Sequence, residues 1–138
     1  MSIGFQVSFD ANDPAALGAF WALALGYVEQ PPPTGFDTWE AFAEANDIPA
    51  AEYGNMYALI DPQGSGRLLF QKVPEAKSGK NRVHLDVNVG RHGKDWSVVQ
   101  THAAALVEAG GTLVEERRDA HSRWIVMTDP EGNELCLQ

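Results

Sequence analysis

Apolar and polar residues alternate in two segments of the chain, Ile3 to Asp10 and Arg82 to Val89. A period of two is typical of a β-strand with one buried face, because successive side chains of a strand point to opposite sides. We therefore predict a strand in each segment. The predicted buried positions are Phe5, Val7 and Phe9 in one strand and Val83, Leu85 and Val87 in the other, and the opposite faces carry Gln6, Ser8, Asp10, His84, Asp86 and Asn88.

Each of these strands is followed by apolar residues at helical spacing. The repeats consist of Leu17, Phe20, Trp21 and Leu25 in the first case and of Val98, Val99, Ala105 and Leu106 in the second. Asn12 or Asp13 is predicted to cap the first helix, and the second helix is predicted to begin at Asp95 or Lys94. Gly26 and Gly110 are predicted to end the two helices. A strand followed by a helix therefore occurs twice.

Three further strands are predicted after each helix, and both sets end on the same phrase. The strands are Tyr27 to Gln30, Met56 to Ile60 and Arg67 to Val73 in the first half, and Thr112 to Glu116, Trp124 to Thr128 and Glu134 to Gln138 in the second. Asp61-Pro62-Gln63-Gly64 precedes Leu68-Leu69-Phe70-Gln71, and Asp129-Pro130-Glu131-Gly132 precedes Leu135-Cys136-Leu137-Gln138. We therefore predict an α+β fold of two tandem βαβββ modules.

An inserted helix explains why the first module is longer. Gln6 and His84 occupy equivalent positions 78 residues apart, whereas Asp61 and Asp129 are 68 residues apart. The difference matches a predicted helix over Thr38 to Asn46, where Asp37 and Glu40 form a capping-box pattern. The predicted organisation is a single domain over 1–138, with modules 1–73 and 82–138 joined by a linker over 74–81.

The composition limits the classes of function. The chain has 138 residues, of which 44% are hydrophobic, and its net charge is −9. This charge repels nucleic-acid phosphates and anionic lipid headgroups, so we expect neither nucleic acid nor a membrane as partner. Cys136 is the sole cysteine, and the residues from Met1 to Phe5 lack the features of a secretory signal. We therefore expect a cytoplasmic protein.

Several motifs carry a resemblance to a known superfamily. They are Phe20-Trp21 with Leu25-Gly26-Tyr27, then Ala109-Gly110-Gly111, then Asp129-Pro130-Glu131-Gly132-Asn133-Glu134. In this order, and together with the duplication, they resemble the vicinal oxygen chelate superfamily of glyoxalase I, bleomycin-resistance proteins and extradiol dioxygenases. The resemblance implies a curved sheet of paired βαβββ modules around a cup, the glyoxalase/bleomycin resistance fold, frequently as a homodimer. We therefore expect a small-molecule ligand and a homodimer.

In that fold, the polar faces of the strands line the cup. The candidate ligand-binding residues are Gln6, Ser8, Gln71, Asp86 and Cys136, together with Trp39 of the inserted helix. Trp39 and Phe42 lie three residues apart and are interpreted either as a lid over the cup or as residues that dock the helix on the sheet. Cys136, between two leucines, has an equally simple interpretation as a small buried apolar residue.

The resemblance also implies where a metal ion would be held. Metal-using relatives place ligands at positions that correspond to Gln6, Leu69, His84 and Cys136. Leucine has no donor atom, and neither closing strand offers a carboxylate at its position. We therefore predict no bound metal and no cofactor, with a divalent ion at Gln6, His84 and Cys136 as the unfavoured alternative.

Two classes of function follow. The first is a glyoxalase-like protein of unknown substrate that binds a small oxygenated ligand in the cup between the modules. The alternative is a glyoxalase-like lyase or isomerase, and with less support a dioxygenase, in which His84 is the catalytic proton carrier. Asp86, two residues from His84, would then orient the imidazole; the competing interpretation is a polar pair that only ties strands together.

Overall fold

A computed structural model describes residues 1–90 and 95–138. The chain divides into two compact units: the first contains Met1–Ala22 and Gly26–Pro74, and the second contains Leu23–Leu25 and Glu75–Gln138. Of the linker predicted over 74–81, Pro74 belongs to the first unit and residues 75–81 belong to the second. Their contacts there are an ion pair of Lys77 Nζ with Glu134 Oε2 at 3.3 Å and a hydrogen bond that the Asn81 backbone donates to Glu134 at 3.0 Å.

The first unit is a four-stranded sheet with helices in the connections. Its strands are β1 (Val7–Ala11), β2 (Val28–Glu29), β3 (Met56–Ile60) and β4 (Arg67–Lys72), and its helices are α1 (Pro14–Leu25), α2 (Trp39–Ala45) and a 3-10 helix (Ala50–Asn55). The order across the sheet is β1-β4-β3-β2, and β1 and β4 are parallel while the other pairs are antiparallel. The 3-10 helix was not predicted.

Local chemistry sets the bounds of α1. The side chain of Asp13 accepts a hydrogen bond from the Ala16 backbone, Pro14 occupies the first turn, and Gly26 ends the helix at a φ of 70°. Leucine and aromatic side chains of α1 supply much of the core of this unit. Trp21 packs on Phe9 of β1, with ring centroids 5.0 Å apart, and Phe9 stacks on Phe70 of β4 at 5.1 Å.

The second unit has the same topology. It contains β5 (Leu85–Val87), α3 (Trp96–Glu108), β6 (Thr112–Arg118), β7 (Arg123–Thr128) and β8 (Glu134–Leu137), in the sheet order β5-β8-β7-β6. Ser8 pairs with Leu69 in the first sheet, and Asp86 pairs with Cys136 in the second. Ser8 and Asp86 are 78 residues apart, which is the predicted offset of the modules. The predicted α+β fold of two βαβββ modules is confirmed.

Several predicted bounds were wrong. The first strands begin at Val7 and Leu85, so the side chains of Phe5 and Val83, predicted as buried, are 91% and 81% exposed. A strand extends only as far as its hydrogen-bonded neighbour, and the neighbouring β4 and β8 begin at Arg67 and Glu134. On the N-terminal side of Val7 and Leu85, apolar and polar residues still alternate in the sequence, but the backbone is no longer paired with a neighbouring strand.

The helix caps differ in detail from the prediction. Thr38, rather than Asp37, caps α2, because its side chain accepts a hydrogen bond from the Ala41 backbone. Asp95 caps α3, and the alternative start at Lys94 lies outside the described residues. Among the residues that the structure describes, none of the helices is long and apolar enough to cross a membrane.

Candidate functional site

A cavity of about 690 Å³ lies within the first unit, between the sheet and the inserted helix. Its walls are mostly aromatic and aliphatic. The lining includes Trp39 and Phe42 from α2, Tyr53 from the 3-10 helix, Met56 from β3, and Arg67 and Leu69 from β4. A concave apolar space of this size with a few polar groups has the usual character of a small-molecule site.

The position of α2 over the cavity is set by Trp39. Its indole Nε1 donates a hydrogen bond to the carbonyl oxygen of Gln30 at 2.8 Å, and its ring meets that of Phe42 edge-on at a centroid distance of 5.7 Å. Phe42 makes a second edge-on contact with Phe36 at 5.3 Å. Trp39 therefore docks the helix and also lines this cavity, whereas its role as a lid over the cup stays a prediction.

Gln6 and Ser8 lie beside the positive charge of Arg67. The Gln6 amide nitrogen donates to the Ser8 hydroxyl at 3.4 Å, and the Gln6 carbonyl oxygen accepts a hydrogen bond from Arg67 Nη1 at 2.6 Å. A second bond runs from Arg67 Nε to the side-chain oxygen of Gln30 at 2.9 Å. Gln71 is exposed and, by alternation along β4, shares a sheet face with Arg67 and Leu69.

Sequence reasoning did not select Arg67 or Gln30. The alternation of β4 contained a signal for Arg67, since it precedes Leu69 and Gln71 by two and four residues and so belongs to the same face. Gln30 follows the two-residue strand β2, and its role depends on Arg67 and Trp39 reaching it. That could not be inferred from local spacing.

In the second unit, three of the predicted residues come together. His84 Nδ1 lies 2.7 Å from Asp86 Oδ1, and one potential ligand atom from each of His84, Asp86 and Cys136 lies within 4.8 Å of the others. His84 and Asp86 are 43% and 45% exposed in their side chains. Burial raises the pKa of the Cys136 thiol, and the charge and hydrogen bond of Asp86 raise that pKa further. The thiol is therefore held in its neutral form at neutral pH.

This donor set does not fit the metal centre that the resemblance implies. Of the four corresponding positions, Leu69 is buried and has no donor, and the Gln6 amide oxygen is engaged by Arg67. Cys136 could act as a ligand only as the thiolate. His84, Asp86 and Cys136 are better described as a polar cluster with an oriented imidazole, since the carboxylate of Asp86 fixes one ring nitrogen of His84.

Comparison with known proteins adds a family match and fold relatives. Residues 6–138 match the sequence profile of the glyoxalase-like domain. No curated protein is similar enough to the chain to count as a match. Among solved structures, a glyoxalase/bleomycin resistance protein/dioxygenase family enzyme from Burkholderia phytofirmans has a TM-score of 0.64 and 19% identity, covering 96% of this chain and 94% of that chain.

Two fosfomycin resistance proteins named FosX also have this fold. The protein from Mesorhizobium loti has a TM-score of 0.66 and 12% identity, with coverage of 100% of this chain and 92% of that one. A mutant of the protein from Listeria monocytogenes, solved with Mn(II) and 1S,2S-dihydroxypropylphosphonic acid, has a TM-score of 0.67 and 11% identity, with coverage of 100% and 90%. At these identities, the similarity establishes the fold.

Proposed function

Because the chain belongs to the glyoxalase-like domain family, we propose that it is a small-molecule-binding protein whose ligand carries oxygen atoms. The single observation that supports this most is the aromatic-walled cavity of the first unit, with a volume of about 690 Å³. Trp39 and Phe42 provide flat apolar contact area at low conformational cost. Gln6, Ser8 and Gln71 are not among the side chains that line the cavity, but Gln6 is hydrogen-bonded to Arg67 in its wall. Their amide and hydroxyl groups can donate to and accept from a carbonyl, carboxylate or hydroxyl group, and their contact with the ligand is a prediction.

The second unit has a separate set of polar groups suited to a ligand oxygen. His84 and Asp86 are exposed and form a hydrogen-bonded pair, with Cys136 beside them. An exposed, oriented imidazole can bind a ligand oxygen as donor or acceptor. That the ligand engages both Gln6 and His84 is a prediction from the equivalent strand positions of the two residues.

A thermal-shift screen followed by calorimetry tests the proposal. The library consists of small carbonyl, carboxylate and hydroxyl compounds. For a ligand found in this way, Phe42→Ala is expected to weaken binding by roughly tenfold, as expected for an aromatic contact. Leu113→Ala is the control, because Leu113 of β6 is 51% exposed and is not among the side chains that line the cavity.

Trp39→Phe separates the two roles of Trp39. This substitution keeps an aromatic ring at the cavity but removes the hydrogen bond to Gln30. It should therefore lower the melting temperature while the affinity for the ligand changes little. The proposal would be abandoned if no compound bound, or if the bound compound were indifferent to Phe42→Ala, Gln6→Ala and His84→Ala alike.

The alternative is a lyase or isomerase that uses His84 as proton carrier. The observation that favours it is the 2.7 Å contact between His84 Nδ1 and Asp86 Oδ1, which leaves Nε2 as the ring atom for proton transfer. An isotope-exchange assay would detect it: wild-type protein in deuterated water should label a bound carbonyl compound at the carbon next to the carbonyl, and His84→Gln should not. If a compound binds but shows no isotope exchange, the lyase or isomerase function is excluded for that compound and binding is the remaining function.

Assembly and location are part of the same proposal. Exposed apolar side chains at Ile3, Phe5 and Val83 support a homodimer, because burying them would remove apolar area from water. The lone thiol of Cys136 supports a cytoplasmic location. Analytical ultracentrifugation should give twice the mass of the 15.0 kDa chain.

A further inference from the structure

Arg67 is a cation whose hydrogen-bond partners in the first unit are neutral. Its side chain is half-buried, and these partners are the amides of Gln30 and Gln6. The ion pairs found in residues 1–90 and 95–138 involve other basic side chains. A partly buried charge with neutral protein partners favours the approach of a mobile anion.

The two amides also orient the guanidinium group. Gln30 accepts from Nε and Gln6 accepts from Nη1, so two of the five N–H donors are used. Three remain, which is enough for the paired contact that arginine makes with a carboxylate or phosphate. Gln6 directly precedes β1 and Gln30 directly follows β2, so both amides come from ends of strands of the same sheet.

Apolar side chains lie beside Arg67 in the wall of the cavity. Leu69, two residues along β4, is 6% exposed, and Trp39, Phe42 and Met56 complete the nearby walls. From these observations we propose that the ligand of this cavity is an organic anion, with a carboxylate or similar oxyanion bound by Arg67 and an aromatic or aliphatic body bound against α2. This inference rests on the proposed function and specifies the charge of its ligand.

Three acidic side chains of the cavity argue for the opposite charge. Glu29, Glu40 and Glu52 line it, and aromatic rings together with carboxylates would suit an amine. All three glutamates are exposed, however, so water and salt screen them, whereas Arg67 is half-buried and screened less. We therefore expect Arg67, rather than the three glutamates, to determine the charge of the ligand.

Three matched probes decide between the charges: hydrocinnamate, hydrocinnamamide and phenylpropylamine, which share one phenyl body. In calorimetry at low ionic strength, hydrocinnamate is expected to bind roughly 10- to 100-fold more tightly than the amide, as expected for a charged hydrogen-bond pair. Arg67→Gln should remove this preference while the affinity for the amide is unchanged, and Arg67→Lys should keep part of it. Arg117→Gln is the control and should change nothing, because Arg117 is an exposed arginine of β6 that pairs with Glu115 and does not line the cavity.

Each other outcome has a definite meaning. If the amide or the amine binds as tightly as hydrocinnamate, the anion inference is wrong while the binding function stands. If Arg67→Gln weakens all three probes equally, Arg67 supports the wall of the cavity and does not recognise charge. If none of the probes binds to the wild-type protein, the inference of an anion with an aromatic body is wrong, while the proposed function is decided separately by the library screen.

Discussion

The repeated Asp-Pro-X-Gly turns allow the cost of one carboxylate to be compared between the two halves of the chain. Asp129 in the second unit is 2% exposed, and its Oδ1 accepts from the backbone of Glu131 at 2.9 Å and of Asn133 at 3.0 Å. The Asn133 amide also donates to both carboxylate oxygens, at 3.1 and 2.8 Å. In the first unit, the Asp61 side chain accepts from the Gln63 backbone at 2.9 Å and is only half-buried.

Asp129→Ala therefore removes the acceptor of three donors in a poorly solvated turn. Leaving a buried donor unpaired costs about 1 to 3 kcal/mol, and water reaches part of this turn, so we expect a loss of about 3 kcal/mol in the free energy of unfolding. Asp61→Ala strands one donor near solvent and should cost about 1 kcal/mol or less. Asp129→Asn keeps a carbonyl oxygen and should recover at least half of the loss.

Urea unfolding followed by circular dichroism measures these differences, with the comparison made between variants of unchanged m-value. The expected order of stability is wild type, Asp61→Ala, Asp129→Asn and Asp129→Ala. Equal losses for the two alanine variants would refute the reasoning, because the turns would then be equivalent in energy as well as in sequence. The reasoning would also be refuted if Asp129→Asn were as unstable as Asp129→Ala.

Four further outcomes are expected. His84→Ala should weaken ligand binding by about 1 to 3 kcal/mol in calorimetry without changing the circular dichroism spectrum, and unchanged affinity would exclude His84 from the site. Gly18→Ala should lower the melting temperature, because the added Cβ would lie 2.3 Å from Cδ1 of Tyr57. We expect a loss of about 1 to 3 kcal/mol in the free energy of unfolding, and an unchanged melting temperature would contradict this prediction. Alkylation of Cys136 by iodoacetamide should be slow at neutral pH and rise only above the pH of a free thiol, since burial and Asp86 raise its pKa; Asp86→Asn should shift the rise to lower pH. Elemental analysis of the dialysed protein should show well under one equivalent of zinc, nickel, iron or manganese, whereas a stoichiometric ion lost on His84→Ala would reverse the interpretation of the polar cluster.

Features with local causes were predictable from the sequence. Asp13, Pro14 and Gly26 define α1 because a cap, a fixed φ and a positive φ each act within a few residues. The order of elements repeats because the sequence pattern repeats, and the topology of both sheets follows from it. The pair of His84 and Asp86 could also be predicted from the sequence, because residues two apart on an extended segment share a face.

Features that depend on distant partners required the tertiary structure. The start of β1 follows from the start of β4, and the cap of α2 at Thr38 follows from which side chain reaches the Ala41 backbone. Arg67 illustrates the same limit at the candidate site: its partners Gln30 and Gln6 are 37 and 61 residues away in the chain. Alternation assigns such a residue to a face of the sheet, but only the packing of distant segments brings those partners to its guanidinium group and the aromatic walls to its cavity.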